Sequence, residues 1–69
     1  MWKKYRIIFR TTCGILKAYV GSENKEDAVR QLEPEGKNYF EFCSGKETIR
    51  VYRQNVAWIE IKELEEDEF

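Results

Sequence analysis

Hydrophobic and polar residues alternate in several stretches of this chain. From Tyr5 to Cys13, one set is Tyr5, Ile7, Phe9, Thr11 and Cys13, and the other is Lys4, Arg6, Ile8, Arg10 and Thr12. A period of two in a β-branched and aromatic run predicts a strand with one face against a core. Gly14 supplies a turn, and Ile15 to Val20 predicts a second strand in an antiparallel hairpin. Leu16, Ala18 and Val20 fall on one face of it, Lys17 and Tyr19 on the other.

Gly21 and Ser22 break that pattern, and the period then lengthens. Asn24 predicts a helix N-cap, since its side-chain oxygen can accept a bond from an orphan N–H of the first turn. The spacing Asn24-x-x-Asp27 resembles a capping box, and Glu26, Asp27 and Arg30 are placed to suit the helix dipole. Ala28, Val29 and Leu32 make a narrow apolar stripe, and Pro34 forces an end to the helix. So short a helix needs packing on a sheet to persist.

Alternation returns at Tyr39 to Cys43. Ser44-Gly45-Lys46 predicts a turn into a strand from Thr48 to Arg53, with Ile49 and Val51 on one face and Arg50 and Tyr52 on the other. After Gln54-Asn55, a last strand from Val56 to Lys62 places Ala57, Ile59 and Ile61 inward and Trp58, Glu60 and Lys62 outward. The expected fold class is α+β: a small antiparallel sheet with elements in the order β-β-α-β-β-β and one short helix packed on the curled sheet. Tight connections favour neighbouring antiparallel strands, so a hairpin, a helix and a three-stranded meander are expected. A small open β-barrel with the helix at one end is the alternative. Residues 1–62 form the single expected domain, and 63–69 an acidic, mobile tail.

At 69 residues the chain has room for one domain. A domain of this size buries only about 60% of its unfolded surface, which makes it marginal alone and favours self-association. With 42% hydrophobic and 36% charged residues it reads as globular rather than disordered. No apolar run approaches the roughly 18 residues of a membrane span, and Arg10 interrupts the first apolar stretch before it can act as a signal segment. A cytoplasmic location is expected, with no membrane partner.

Net charge is −1, but the charges are segregated. Residues 1–22 carry Lys3, Lys4, Arg6, Arg10 and Lys17 and no acid, whereas residues 60–69 carry six acids against Lys62 alone. Three readings of the acidic end stay open: a solubilising tail, a mask folded back on the basic strand, or a segment that reaches the basic strand of a neighbouring subunit.

The chain has no histidine, so no imidazole base is available near neutral pH and no Ser–His or Cys–His pair can form within it. Its four glycines are scattered and make no phosphate-cradling loop. Cys13 and Cys43 lack the spacing of a zinc site and are too few for a disulfide framework. They are expected as free, half-buried thiols. No catalytic residue, metal or cofactor is therefore expected, and the protein reads as a non-enzyme.

The expected role is a small interaction module that associates with itself, as a dimer or higher oligomer, or binds a protein partner. Its candidate surface comprises Lys4, Arg6, Arg10, Lys17, Tyr19, Arg50, Tyr52 and Trp58. Cations interleaved with aromatics on a sheet also suit single-stranded nucleic acid, so binding of such a strand by the basic outer face of the first strand is the alternative. The same residues could simply solvate the outer face of an antiparallel sheet, and a pI of 5.5 falls short of the usual basic footprint. Trp2, Tyr39, Trp58 and Phe69 are large apolar residues in excess of the expected core, as at interfaces.

The spacing Gly45-x-x-x-Ile49-x-Val51-x-x-x-Asn55-Val56-x-x-Ile59-x-Ile61 resembles the ending of short uncharacterised proteins of Gram-positive bacteria and their phages. That resemblance implies a bacterial or mobile-element origin and carries no functional residue across.

Overall fold

The computed structural model describes residues 2–65. It is α+β, with antiparallel strands and one short helix. Strands β1 (Lys3–Thr11) and β2 (Gly14–Ser22) form a hairpin, followed by helix α1 (Lys25–Arg30). Strands β3 (Tyr39–Ser44) and β4 (Glu47–Tyr52) form a second hairpin, and a 3-10 turn over Arg53–Asn55 leads into β5 (Val56–Leu64). Among the described residues, no helix is long and apolar enough to cross a membrane.

The strands form two sheets rather than one. The first has the order β2-β1-β5 and the second pairs β3 with β4. This corrects the single curled sheet with its three-stranded meander, and the division into two sheets also departs from the small open barrel given as the alternative. Instead of reversing direction within one sheet, the three-residue turn after β4 carries the chain across to the other layer. Thr12 N–H donates to Asn55 C=O at 3.1 Å and fixes the start of β5 beside the first hairpin turn. Strand β1 is thereby paired along both edges, consistent with the deep burial of its inner residues Tyr5, Ile7 and Phe9.

Pairing of β5 with β1 breaks step once. Arg10 lies opposite Trp58 but Thr11 lies opposite Val56, which leaves Ala57 as the extra residue of a bulge. Alternation along β5 therefore restarts at Trp58. Ala57 is exposed, contrary to its expected inward position, and Val56 packs against the core instead. Strand β5 also runs beyond Lys62 to include Glu63 and Leu64, and Leu64 is buried, so the tail expected from residue 63 cannot begin there. The expectation for residues 66–69, including Phe69 as an interface residue, lies outside the described residues.

The core lies between the layers. Tyr5, Ile7, Phe9 and Ala18 come from the first sheet, Phe40, Phe42 and Val51 from the second, and Ala28 and Leu32 from the helical segment. The Phe9 ring sits 5.0 Å from that of Phe40, and 5.7 Å from that of Phe42 in near-parallel stacking. Among the described residues no backbone hydrogen bond outside the ladders joins a strand of one sheet to a strand of the other, and the Glu41 N–H to Leu32 C=O bond at 2.8 Å ties β3 to the segment after α1 instead. Aromatic packing is thus a main source of cohesion between the sheets.

Asn24 caps α1 as its sequence position predicts, accepting from the Asp27 N–H at 2.8 Å. Asp27 does not complete the reciprocal box. Its carboxylate accepts from the hydroxyl of the fully buried Ser22 at 2.8 Å and from the Gln31 amide at 3.3 Å. Gln31 also donates to Gly21 C=O at 3.0 Å, so this network ties the helix to the end of β2.

Candidate interaction surface

A strand buried on one face presents every second side chain on the other, and pairing three such strands turns that alternation into a grid. On the outward face of the β2-β1-β5 sheet the rows are Gly21–Lys4–Leu64, Tyr19–Arg6–Lys62, Lys17–Ile8–Glu60 and Ile15–Arg10–Trp58. Five cations occupy this grid against one carboxylate, Glu60. Tyr19 and Trp58 are each 56% exposed, and Ile15 is 54% exposed. Near the top row, the Trp2 ring lies over Gly21, where an added Cβ would stand 3.5 Å from the indole.

The carboxylate has a defined place. Glu60 accepts from Arg10 Nε and, at 2.8 Å, from Trp58 Nε1, while the Arg10 guanidinium also lies 5.5 Å from the Trp58 ring centre. The Arg10 hydrogen bond, then that of Trp58, hold the Glu60 carboxyl below the usual carboxylate range, with the positive charge of Arg6 adding to the effect. Arg10 and Trp58 are therefore partly committed to one another and to Glu60. Arg6, in the middle of the grid, is half-buried, and its Nε is shielded from solvent without a hydrogen-bond partner.

Of the sequence-predicted residues, Lys4, Arg6, Arg10, Lys17, Tyr19 and Trp58 share this face. Arg50 and Tyr52 do not join them. Strand β4 pairs with β3, which puts both on the outward face of the second sheet, across the core. There Tyr52 meets Tyr39 edge-on at 5.5 Å, and Arg50 lies 4.8 Å over Tyr39 while pairing with Glu41 at 2.7 Å. Glu41 is the leading cause of a raised Arg50 pKa. The candidate surface therefore loses two expected members and gains Lys62, Glu60, Ile8 and Ile15. Alternation had already marked Lys62 and Glu60 as outward, but placing them beside Arg6 and Arg10 required knowing that β5 pairs with β1.

Basic and acidic segments of the chain meet within one copy. Lys3 Nζ approaches Glu63 at 3.5 Å, and Arg10 pairs with Glu60. Both thiols are free and exposed rather than half-buried, because Cys13 lies in the first hairpin turn and Cys43 faces outward near the end of β3. Among the described residues, no group of three His, Cys, Asp or Glu side chains is placed to hold a metal ion.

Among the described residues, the other edge of β5 has no strand beside it. Next to it, Val29 of α1 and Ile61 of β5 line an open groove with Lys25, Glu26, Arg30 and Glu33. No family model, curated protein or solved structure matches this chain.

Proposed function

We propose that this chain is a non-enzymatic interaction module that acts through its three-stranded sheet and associates with a second copy of itself or with another protein. The unpaired edge of β5 carries this reading. Beyond the bulge at Ala57 it offers seven residues of regular extended backbone, 58–64, with Trp58 exposed and Ile59 and Ile61 only partly covered. An open, regular edge of this length is a template for further strand pairing unless something covers it. The basic residues of β1 have no free backbone edge to offer, because β1 is the central strand. Light scattering coupled to size exclusion tests self-association. A mass above the 8.3 kDa of one chain is expected, and one chain's mass at every concentration would leave only the protein-partner half of the reading.

A second reading is favoured by the outward grid. Five cations with an exposed Tyr19 on a flat sheet face suit single-stranded nucleic acid, whose phosphates meet the cations and whose bases stack on the ring. The Arg10–Glu60–Trp58 cluster weighs against it by engaging one cation and one ring internally. Fluorescence anisotropy of a labelled single strand, measured against salt, separates it from the first reading.

A further inference from the structure

The open edge of β5 carries side chains that are complementary to themselves under a two-fold axis. Resting on the reading of self-association, we propose that two copies join β5 to β5 in antiparallel fashion about Ile61, forming one continuous six-stranded sheet. In this register Ile61 faces its own equivalent on the core side, and Glu60 lies opposite Lys62 of the second copy on the outward side. By symmetry the ion pair occurs twice. Trp58 then lies opposite Leu64 of the second copy, so the outward side has an apolar pair flanking each ion pair.

Neighbouring registers are worse for identifiable reasons. A slip of one residue sets outward side chains of one copy against core-side chains of the other, so the two cores no longer share a face. Moving the axis to Glu60 sets two carboxylates face to face, and moving it to Lys62 does the same with two ammonium groups; like charges directly opposite are unfavourable. The bulge at Ala57 interrupts the edge beyond Trp58, which confines regular pairing to residues 58–64. Glu60 can serve both its own chain and the neighbour, because a carboxylate has more acceptor positions than its bonds to Arg10 and Trp58 use.

Ile61 is only partly covered and borders the open groove beside α1, so the axis falls at an apolar position of the edge that a second copy can reach. The other outer strand, β2, is less available for such pairing. It is flanked by α1 and approached by β3, whereas the closest packing of β5 is with β1. Joining the β5 edges also sets the two outward grids side by side, so the basic face of one copy continues into that of the next.

Charge exchange tests the register. Glu60→Lys alone and Lys62→Glu alone each replace two attractive cross-strand pairs with two repulsive ones and should raise the dimer dissociation constant about tenfold or more. The double variant Glu60→Lys/Lys62→Glu should recover the original value, and an equimolar mixture of the two single variants should form mixed dimers. Sedimentation velocity reads all four. Single variants that dimerise as the original does would overturn this register while leaving self-association standing. An original protein that stays monomeric throughout would overturn both.

Glu60→Lys also removes the Arg10 and Trp58 contacts, so a second measurement is independent of it. In a background with Cys13 and Cys43 changed to serine, Ile61→Cys should form an intermolecular disulfide on mild oxidation. Directly opposed residues of antiparallel strands have Cα atoms about 4.5–5.5 Å apart, within the range a disulfide spans. No crosslink at 61 in a protein that is dimeric by sedimentation would refute the register.

Discussion

Phe9→Ala should be among the most damaging single substitutions in this protein. The ring is fully buried in the second half of β1 and touches both phenylalanines of the opposite sheet, Phe40 and Phe42. Truncating a buried phenylalanine to alanine costs about 3–5 kcal/mol. Aromatic pairs add about 0.5–1.5 kcal/mol each beyond area burial, and Phe9 makes two. Because few backbone hydrogen bonds bridge the sheets, little else compensates at this position, which puts the expected loss near the upper end, about 4–5 kcal/mol. A 69-residue domain at about 0.05–0.15 kcal/mol per residue has a total stability of about 3.5–10 kcal/mol. Phe9→Ala can therefore leave no measurable native baseline, and the milder Phe9→Leu, Phe42→Leu and the double variant give the quantitative result. Urea unfolding followed by far-ultraviolet circular dichroism should show a coupling of about 0.5–1.5 kcal/mol between positions 9 and 42. Additive losses within about 0.3 kcal/mol, or a Phe9→Ala loss below about 1 kcal/mol, would refute the account of how the layers adhere.

Three further outcomes are expected. Replacing both Cys13 and Cys43 with serine should change stability by no more than about 0.5 kcal/mol per site, since both are exposed, and both thiols should react with a maleimide in the native protein at nearly the rate of free cysteine. The Ser22 hydroxyl, then the Gln31 amide, lower the Asp27 pKa, so its contribution is present above the unfolded carboxylate pKa and is lost as pH falls through the lower folded value. Asp27→Asn should accordingly flatten the acid limb of the stability curve, and an unchanged limb would contradict the network. If the outward grid holds a single-stranded nucleic acid, log affinity should fall with log salt by about 0.7 per phosphate contacted, and Lys4→Glu with Lys17→Glu should reduce that slope. Removing residues 66–69 should raise the affinity, since three of the four are acidic, whereas binding below detection at low salt would end that reading.

Local features were the most legible in the sequence. Alternation over Tyr5–Phe9, interrupted by Ile8, and over Leu16–Val20 identified the inward side chains of β1 and β2, because a half-buried strand without bulges has a period of two. Asn24 was legible for a similar reason, as its bond to Asp27 N–H spans only three residues. The neighbours of a strand depend on contacts far apart in sequence, and there the reading failed. Nothing in residues 56–64 states that their partner is β1 rather than β4, and a three-residue turn can either reverse a strand or lead it to another layer. That ambiguity misplaced Arg50 and Tyr52, which have the right chemistry on the wrong sheet. Ala57 failed for another reason: counting by twos assumes an unbroken ladder, and one bulge shifts everything on its far side by a residue. The cysteines were misread because small thiols are commonly buried, a tendency that their positions near hairpin ends override.

The segregated charge of the sequence acquires a different meaning once β5 lies beside β1. A basic start and an acidic end raise the reading in which one copy's acids meet another copy's cations. In the fold, antiparallel pairing of β1 with β5 brings those segments together within one chain, through Lys3 with Glu63 and Arg10 with Glu60. Both pairs are substantially exposed, so each adds little to stability. Which partners these side chains have depends on the register of β5 against β1. Aligned with β1, strand β5 sets Glu60 diagonally beside Arg10 on one face and Glu63 diagonally beside Lys3 on the other. Slipping it by two residues would change those diagonal partners without moving any residue to the opposite face. The alternation of apolar residues alone does not distinguish such even slips, because every inward residue stays inward. Charge distinguishes such slips for the β5 edges of two copies, where Glu60 opposite Lys62 singles out one register among those that keep the core continuous. Within a chain it does not, because the observed pairing sets Arg6 directly opposite Lys62 and a slip of two would set Glu60 directly opposite Arg10 or Arg6. Glu60 is nevertheless the residue whose reversal should disturb both sides of β5, through its Arg10 and Trp58 contacts within the chain and through the proposed ion pair between chains.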